Sequence, residues 1–152
     1  MDRRNVLGLG LAAVLPTVVF AQSDPSADIK ALYARFLAAQ NARDLVGVRA
    51  TLLDKPSFLW ISDGKPFWGP DALIERMSAF QKAEVWHVTP DETRARVIDV
   101  SPTSAYLFQP LVLRLGPKAG PHAISFLVNV LCVNTASGWR IAALFTTEEN
   151  PS

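Results

Sequence analysis

With 152 residues and 49% apolar composition, the chain is long enough for one domain with a real core, which excludes a disordered or coiled-coil protein. A net charge of +1 without any Lys/Arg cluster or basic stripe argues against nucleic-acid binding. The single cysteine, Cys132, excludes an intrachain disulfide, and its run of apolar neighbours suits a small buried hydrophobe rather than a reactive thiol.

The N-terminus reads as an export signal. Arg3 and Arg4 precede an uncharged apolar run from Val6 to Phe20, and Val19 and Ala21 put small residues where a signal peptidase reads. Residues 1–21 are therefore expected to be removed and the protein to be periplasmic or secreted, leaving residues 22–152 as a single domain. The Arg3-Arg4-Asn5-Val6-Leu7 order also fits a twin-arginine signal, although two arginines in an ordinary n-region read the same way. A membrane anchor is disfavoured, because the run is about 15 residues against the ~20 a spanning helix needs, and it contains Pro16. Cleavage removes two arginines and one aspartate from 15 basic and 14 acidic residues, leaving 13 of each.

Asp24-Pro25 predicts a helix start, and Ile29, Leu32, Tyr33, Phe36 and Leu37 follow the i, i+3, i+4, i+7, i+8 spacing of one buried face. This helix ends near Asn41 to Asp44. A shorter one is expected over Leu45–Leu53, weakened by Gly47 and stopped by Lys55-Pro56. Phe58–Ser62 then reads as a strand, Asp63-Gly64 as a turn, and Lys65–Trp68 as a short returning strand that Pro66 confines to an edge. A third helix runs from Pro70 to about Gln81, with Leu73, Ile74, Met77 and Phe80 on one face and Glu75, Arg76 and Lys82 on the polar face.

From Glu84 onward helical periodicity is lost. Strands are expected over Glu84–Thr89, Thr93–Val100, Ala105–Leu115, His122–Thr135 and Trp139–Thr147, separated by turn residues that suit an antiparallel meander. Helices followed by a run of long strands define an α+β layout with helices on one sheet face. The third and fourth of these strands are apolar on both faces, around Gln109 and Asn129, so both faces should be covered. Helices cover one; a second copy of the chain is expected on the other, in a homodimer.

The stretch ARFLAAQNARDLVGVRATLLDKPSFLWISDGKPFWGPDALI resembles the opening of the nuclear transport factor two-like superfamily, which includes SnoaL-like polyketide cyclases and ketosteroid isomerases. A helix ending Asn41-Ala42-Arg43-Asp44, a short second helix, a strand, a Gly-containing turn and Gly69 before the third helix carry the resemblance. It implies a cone: a curved, mostly antiparallel sheet packed on three N-terminal helices, with an apolar pocket open at one end. Aligned on the ketosteroid isomerase pattern, the tyrosine that donates to substrate falls on Phe36 and the general-base aspartate falls on Trp60. A phenyl ring cannot donate that hydrogen bond and an indole cannot accept the proton, so that chemistry is disfavoured.

Given the cone, period-two alternation assigns Phe58 and Trp60 to the pocket wall, with Phe36 from the first helix and Trp86 at the mouth. Tyr106, Phe108, Val112 and Arg114 share one face of the long strand and are expected to join them, with Asn129 beside them. Arg114 would then need an anion, a carbonyl or water, or would reach solvent at the rim. The expected partner is a small apolar or aromatic molecule, bound without turnover. The alternative is a SnoaL-like lyase, isomerase or hydrolase with His87 as general base, oriented by Asp63 or Asp99, or with one of those carboxylates as base. His87 reads more readily as a surface or dimer-face residue. His87 and His122 are far apart, and with no cysteine pair and no phosphate-cradling glycine loop, neither a metal nor a cofactor is expected.

Overall fold

The computed structural model describes residues 24–150, so the expected export segment lies outside the described residues. Helix α1 (Ser26–Asn41) buries Ile29, Leu32, Tyr33, Phe36, Leu37 and Gln40, extending the predicted stripe by one turn. It starts at Ser26, with Pro25 as the cap residue, and the Asp24 carboxylate accepts from the Ser26 amide at 2.8 Å. Helix α2 spans Leu45–Thr51. Strands β1 (Leu59–Ser62) and β2 (Lys65–Trp68) form the expected hairpin, and Asp63 and Gly64 both take positive φ, +54° and +68°, the backbone that a two-residue hairpin turn requires. Helix α3 (Pro70–Phe80) follows Gly69, whose φ of +79° aims the chain back over the sheet. No helix among the described residues is long and apolar enough to cross a membrane.

The remaining chain supplies β3 (Val85–Pro90), β4 (Arg96–Ser101), β5 (Ser104–Gly116), β6 (His122–Thr135) and β7 (Gly138–Glu148). The seven-stranded sheet runs β2-β1-β7-β6-β5-β3, with β4 also on β5, and curls around the helices without closing. Only β1 against β7 is parallel among these pairings. The core of the cone packs Ile29, Leu32, Phe58, Leu73, Leu107, Val130 and Ile141, all fully buried, between α1, α3 and the sheet's inner face.

The meander expectation holds for β5, β6 and β7 and fails before them. Strands β3 and β4 do not pair with each other; both lie along β5, on its C-terminal and N-terminal halves. The cause sits at Asp91, whose carboxylate accepts from the Thr93 amide at 3.1 Å and the Thr93 hydroxyl at 2.6 Å. That local turn consumes the residues expected to begin the strand, so β4 starts at Arg96.

Asn41, Arg43 and Asp44 each make a contact that explains the motif at the end of α1. The Asn41 amide donates to the Val88 carbonyl at 2.9 Å and accepts from the Val88 amide at 2.7 Å, tying α1 to β3. Arg43, in a left-handed conformation with φ of +59°, donates to the carbonyls of Gln81, Ala83 and Glu84 where α3 hands over to β3. Asp44 caps α2 by accepting from the Gly47 amide at 2.9 Å.

Gly47 belongs to that cap rather than being a flaw in the helix. A Cβ there would stand 2.4 Å from the Asp44 carboxylate oxygen and 3.2 Å from the Ala39 Cβ. Helix propensity alone predicts that Gly47→Ala stabilises by about 1 kcal/mol. Losing the cap and crowding α1 outweigh that, so we expect net destabilisation of about 1 kcal/mol. A urea titration that showed stabilisation would disprove the close packing of α1 on α2.

Candidate functional site

A cavity of about 580 Å³ lies between the helices and the concave side of the sheet. Helix α1 supplies Tyr33, Phe36, Leu37 and Gln40, and α3 supplies Arg76, Met77 and Phe80. Opposite them stand Trp60 of β1, Trp86 and Val88 of β3, and the inward-facing residues of β5 and β6, among them Leu111, Leu113, Phe126 and Val128. The deep residues Tyr33, Phe36, Leu37, Val88 and Val128 are buried, whereas Asp63, Gly64, Thr147 and Glu148 are exposed and form the rim. An apolar wall arises because these positions follow the helical stripe of α1 and every second residue of the long strands.

Polar groups in the wall are few. The Trp60 indole Nε1–H donates to the Thr146 hydroxyl at 3.1 Å, which fixes the ring. Trp86 stacks on Phe80 with ring centres 6.1 Å apart and planes 19° apart, and its buried Nε1 has no partner among the described residues. Burial pushes the Tyr33 hydroxyl well above the ordinary phenol range, so it stays protonated at any physiological pH. Among the described residues, the one cation in the wall is Arg76. Its guanidinium carbon lies 4.5 Å from the Phe67 ring centre, 4.6 Å from Phe80 and 5.8 Å from Trp60. Its nearest carboxylate is Asp63 at 3.7 Å.

Of the residues anticipated from sequence, the fold brings Phe36, Trp60, Trp86 and Asp63 to this cavity. Phe58 is fully buried, but it packs in the core beneath the cavity rather than lining it. Tyr106, Phe108, Arg114 and Asn129 lie on the opposite face of the sheet, as does His87, which sits across from Arg114 in the β3–β5 register. Asp99 is exposed on β4. The cavity face of β5 is the odd-numbered one, carrying Ala105, Leu107, Gln109, Leu111, Leu113 and Leu115. Both faces of this strand are apolar, so alternation alone does not choose between them. The choice follows from polar ends: Tyr106 and Arg114 reach water on the outside, while the Gln109 amide is satisfied inside by the carbonyls of Asp91 and Pro110 at 3.1 and 3.0 Å.

Histidine is thus absent from the cavity wall, and the carboxylates that reach it, Asp63 and Glu148, are at the rim. Among the described residues no group of three His, Cys, Asp or Glu is placed to hold a metal ion. Arg76 is the residue that sequence reading passed over. It was assigned to the polar face of α3, yet it is one turn before Phe80 and three residues after Leu73, at the margin of the apolar stripe, where a long side chain can fold inward.

The SnoaL-like domain family matches residues 29–144 of this chain. No curated protein matches it. Among solved structures, a nuclear transport factor 2-like superfamily protein from Salmonella enterica serovar Typhimurium is similar with a TM-score of 0.77 and 13% identity, over 87% of this chain and 96% of its own. A ketosteroid isomerase-like protein from Erwinia carotovora gives 0.69 and 21%, over 85% and 99%. A protein from Catenulispora acidiphila, solved in complex with S-DNPA, gives 0.66 and 15%, over 81% and 92%. At these identities the likeness is one of fold.

Proposed function

The chain belongs to the SnoaL-like family of the nuclear transport factor 2-like superfamily, and from that premise we propose that it is an exported pocket protein that binds a small apolar or aromatic molecule without turning it over. The observation that carries this reading is the cavity itself. Its volume of about 580 Å³ lies in the range of small-molecule sites, and its wall is aromatic and aliphatic with few polar groups. The alternative, turnover with His87 or a carboxylate as general base, gains nothing from the geometry, because His87 faces away and Asp63 and Glu148 stand at the rim. That a protein of the same fold was solved in complex with S-DNPA is in keeping with a binding role for this fold.

Native mass spectrometry of protein recovered from its own exported fraction tests the reading, with a retained mass of small-molecule size as the expected result. Protein that is empty, and that stays empty when offered aromatic and aliphatic compounds, would sink it. The same spectra report assembly. The outer sheet face exposes Tyr106, Val112 and Phe145 around Phe108, and a second copy packed on it would bury them in a homodimer. Phe145→Glu is then expected to shift the mass to a monomer while leaving the circular dichroism unchanged. A native protein that is already monomeric would remove the dimer.

A further inference from the structure

Resting on the apolar-pocket reading, we infer that the molecule bound in the cavity carries one carboxylate, which Arg76 receives after releasing Asp63. The arginine side chain is only 19% exposed and stands against three aromatic rings. Guanidinium does not lose its proton in a protein, so a site that removes it from water must supply acceptors. Here it supplies almost none. The Arg76 Nε is buried without an acceptor, and Asp63 at 3.7 Å is beyond hydrogen-bond length.

Three other arginines show what satisfaction looks like in this fold. Arg43 has three carbonyls, Arg49 has the carboxylates of Asp54 and Asp71, and Arg94 has both oxygens of Glu149. Arg49 and Arg94 are also more exposed, at 40% and 47%. The least hydrated guanidinium of these three ion-paired arginines is therefore the worst partnered, and it is the one in the cavity wall. A ligand carboxylate presents two coplanar oxygens to that fork, while its apolar body lies against Phe80, Trp60 and Trp86.

Asp63 sets both the charge limit and the affinity. Its side chain is 80% exposed at the tip of a two-residue turn, so it can swing into water at little cost. With Asp63 and Glu148 at the mouth, a second negative charge on the ligand meets repulsion, which favours a monocarboxylate over a phosphate monoester. Asp63 is therefore a built-in competitor for Arg76.

Titration of the purified protein with naphthalene-1-acetate and with its primary amide, followed through indole fluorescence at neutral pH, separates the possibilities. The acid is expected to bind at least ~10-fold tighter than the amide, and Arg76→Gln to weaken the acid by about 30-fold and erase the preference. Asp63→Asn, which keeps a residue tolerant of positive φ at an exposed turn, should raise the acid-to-amide affinity ratio several-fold. Equal binding of acid and amide, or a preference that survives Arg76→Gln, overturns the carboxylate inference and leaves the apolar pocket standing. A ratio that falls in Asp63→Asn overturns its role as competitor, whether or not the Arg76 variant folds. Failure of both compounds to bind overturns the inference and the pocket reading together.

Discussion

Replacing Asn41 with alanine is expected to destabilise the fold by about 3 kcal/mol. Strand β3 ends the main path of the sheet, with β5 on one side only. In an antiparallel strand alternate residues point both backbone groups to the same side, and at Val88 that side is the free edge. Val88 itself is buried, so its amide and carbonyl cannot turn to bulk water, and the Asn41 side chain satisfies both, at 2.7 and 2.9 Å. Alanine leaves two buried groups unpaired, each at about 1–3 kcal/mol. Urea unfolding should show a lower midpoint at unchanged slope, corresponding to a fall of roughly 10 °C in Tm. Asn41→Asp separates the two bonds, because it retains the acceptor for the Val88 amide and faces the Val88 carbonyl with a charge. It should be no better than alanine. A loss below about 0.5 kcal/mol for alanine would mean that water takes over at the edge, and the staple would be decorative.

The staple also explains why the fold was legible where it was. The Asn41-Ala42-Arg43-Asp44 motif carried the family resemblance, and the structure gives the reason: Asn41, Arg43 and Asp44 fix α1 to β3, the α3–β3 connection to α1, and α2 to its own first turn. Positions that make several backbone contacts at once accept few substitutes, so they leave a readable trace. The helix starts, the Asp63-Gly64 turn and the long strands were readable for the usual local reasons of spacing and turn chemistry. The pairing of β3 and β4 along one strand was not, because it depends on an Asx turn at Asp91 and on β5 being long enough to host two partners.

The candidate site was legible in part, and the failures have two causes. Phe36, Trp60 and Trp86 could be placed because each sits on an element with one clearly buried face. Strand β5 has two apolar faces, so the aromatic content of the even positions drew Tyr106, Phe108 and Arg114 to the wrong side. The Gln109 amide faces inward because the carbonyls of Asp91 and Pro110 accept from it, partners that spacing along the strand does not reveal. Arg76 was hidden for the opposite reason. Helical spacing marks a charged residue as polar, yet an arginine at the edge of an apolar stripe can fold its stem and its charge against aromatic rings.

Above pH 9 the protein is expected to lose stability steeply, and Cys132 is where the loss begins. Burial in β6 pushes its thiol from an ordinary 9.0 up to about 12. Below pH 9 the thiol is protonated in both folded and unfolded chains, and nothing changes. Above it the unfolded chain releases the proton while the folded one keeps it, so the folded state binds more protons and stability falls with rising pH. Between pH 9 and 10 this costs about 1 kcal/mol, and by pH 11 roughly 3, levelling off only near the folded value. Tyr33, also raised by burial, adds to the decline once the unfolded phenol ionises above its ordinary 10.0. Cys132→Ala isolates the first term. It should be less stable than the native protein at pH 7 by about 1 kcal/mol, through lost packing, yet lose most of the slope from pH 9 to 10 in urea titrations, keeping only the smaller contribution of Tyr33. The native thiol should also resist aromatic disulfide reagents at pH 8 and react at once in denaturant. A slope from pH 9 to 10 that persists undiminished in Cys132→Ala would assign the alkaline loss to other groups, and rapid labelling of the native protein would mean that β6 opens locally on the timescale of the reagent.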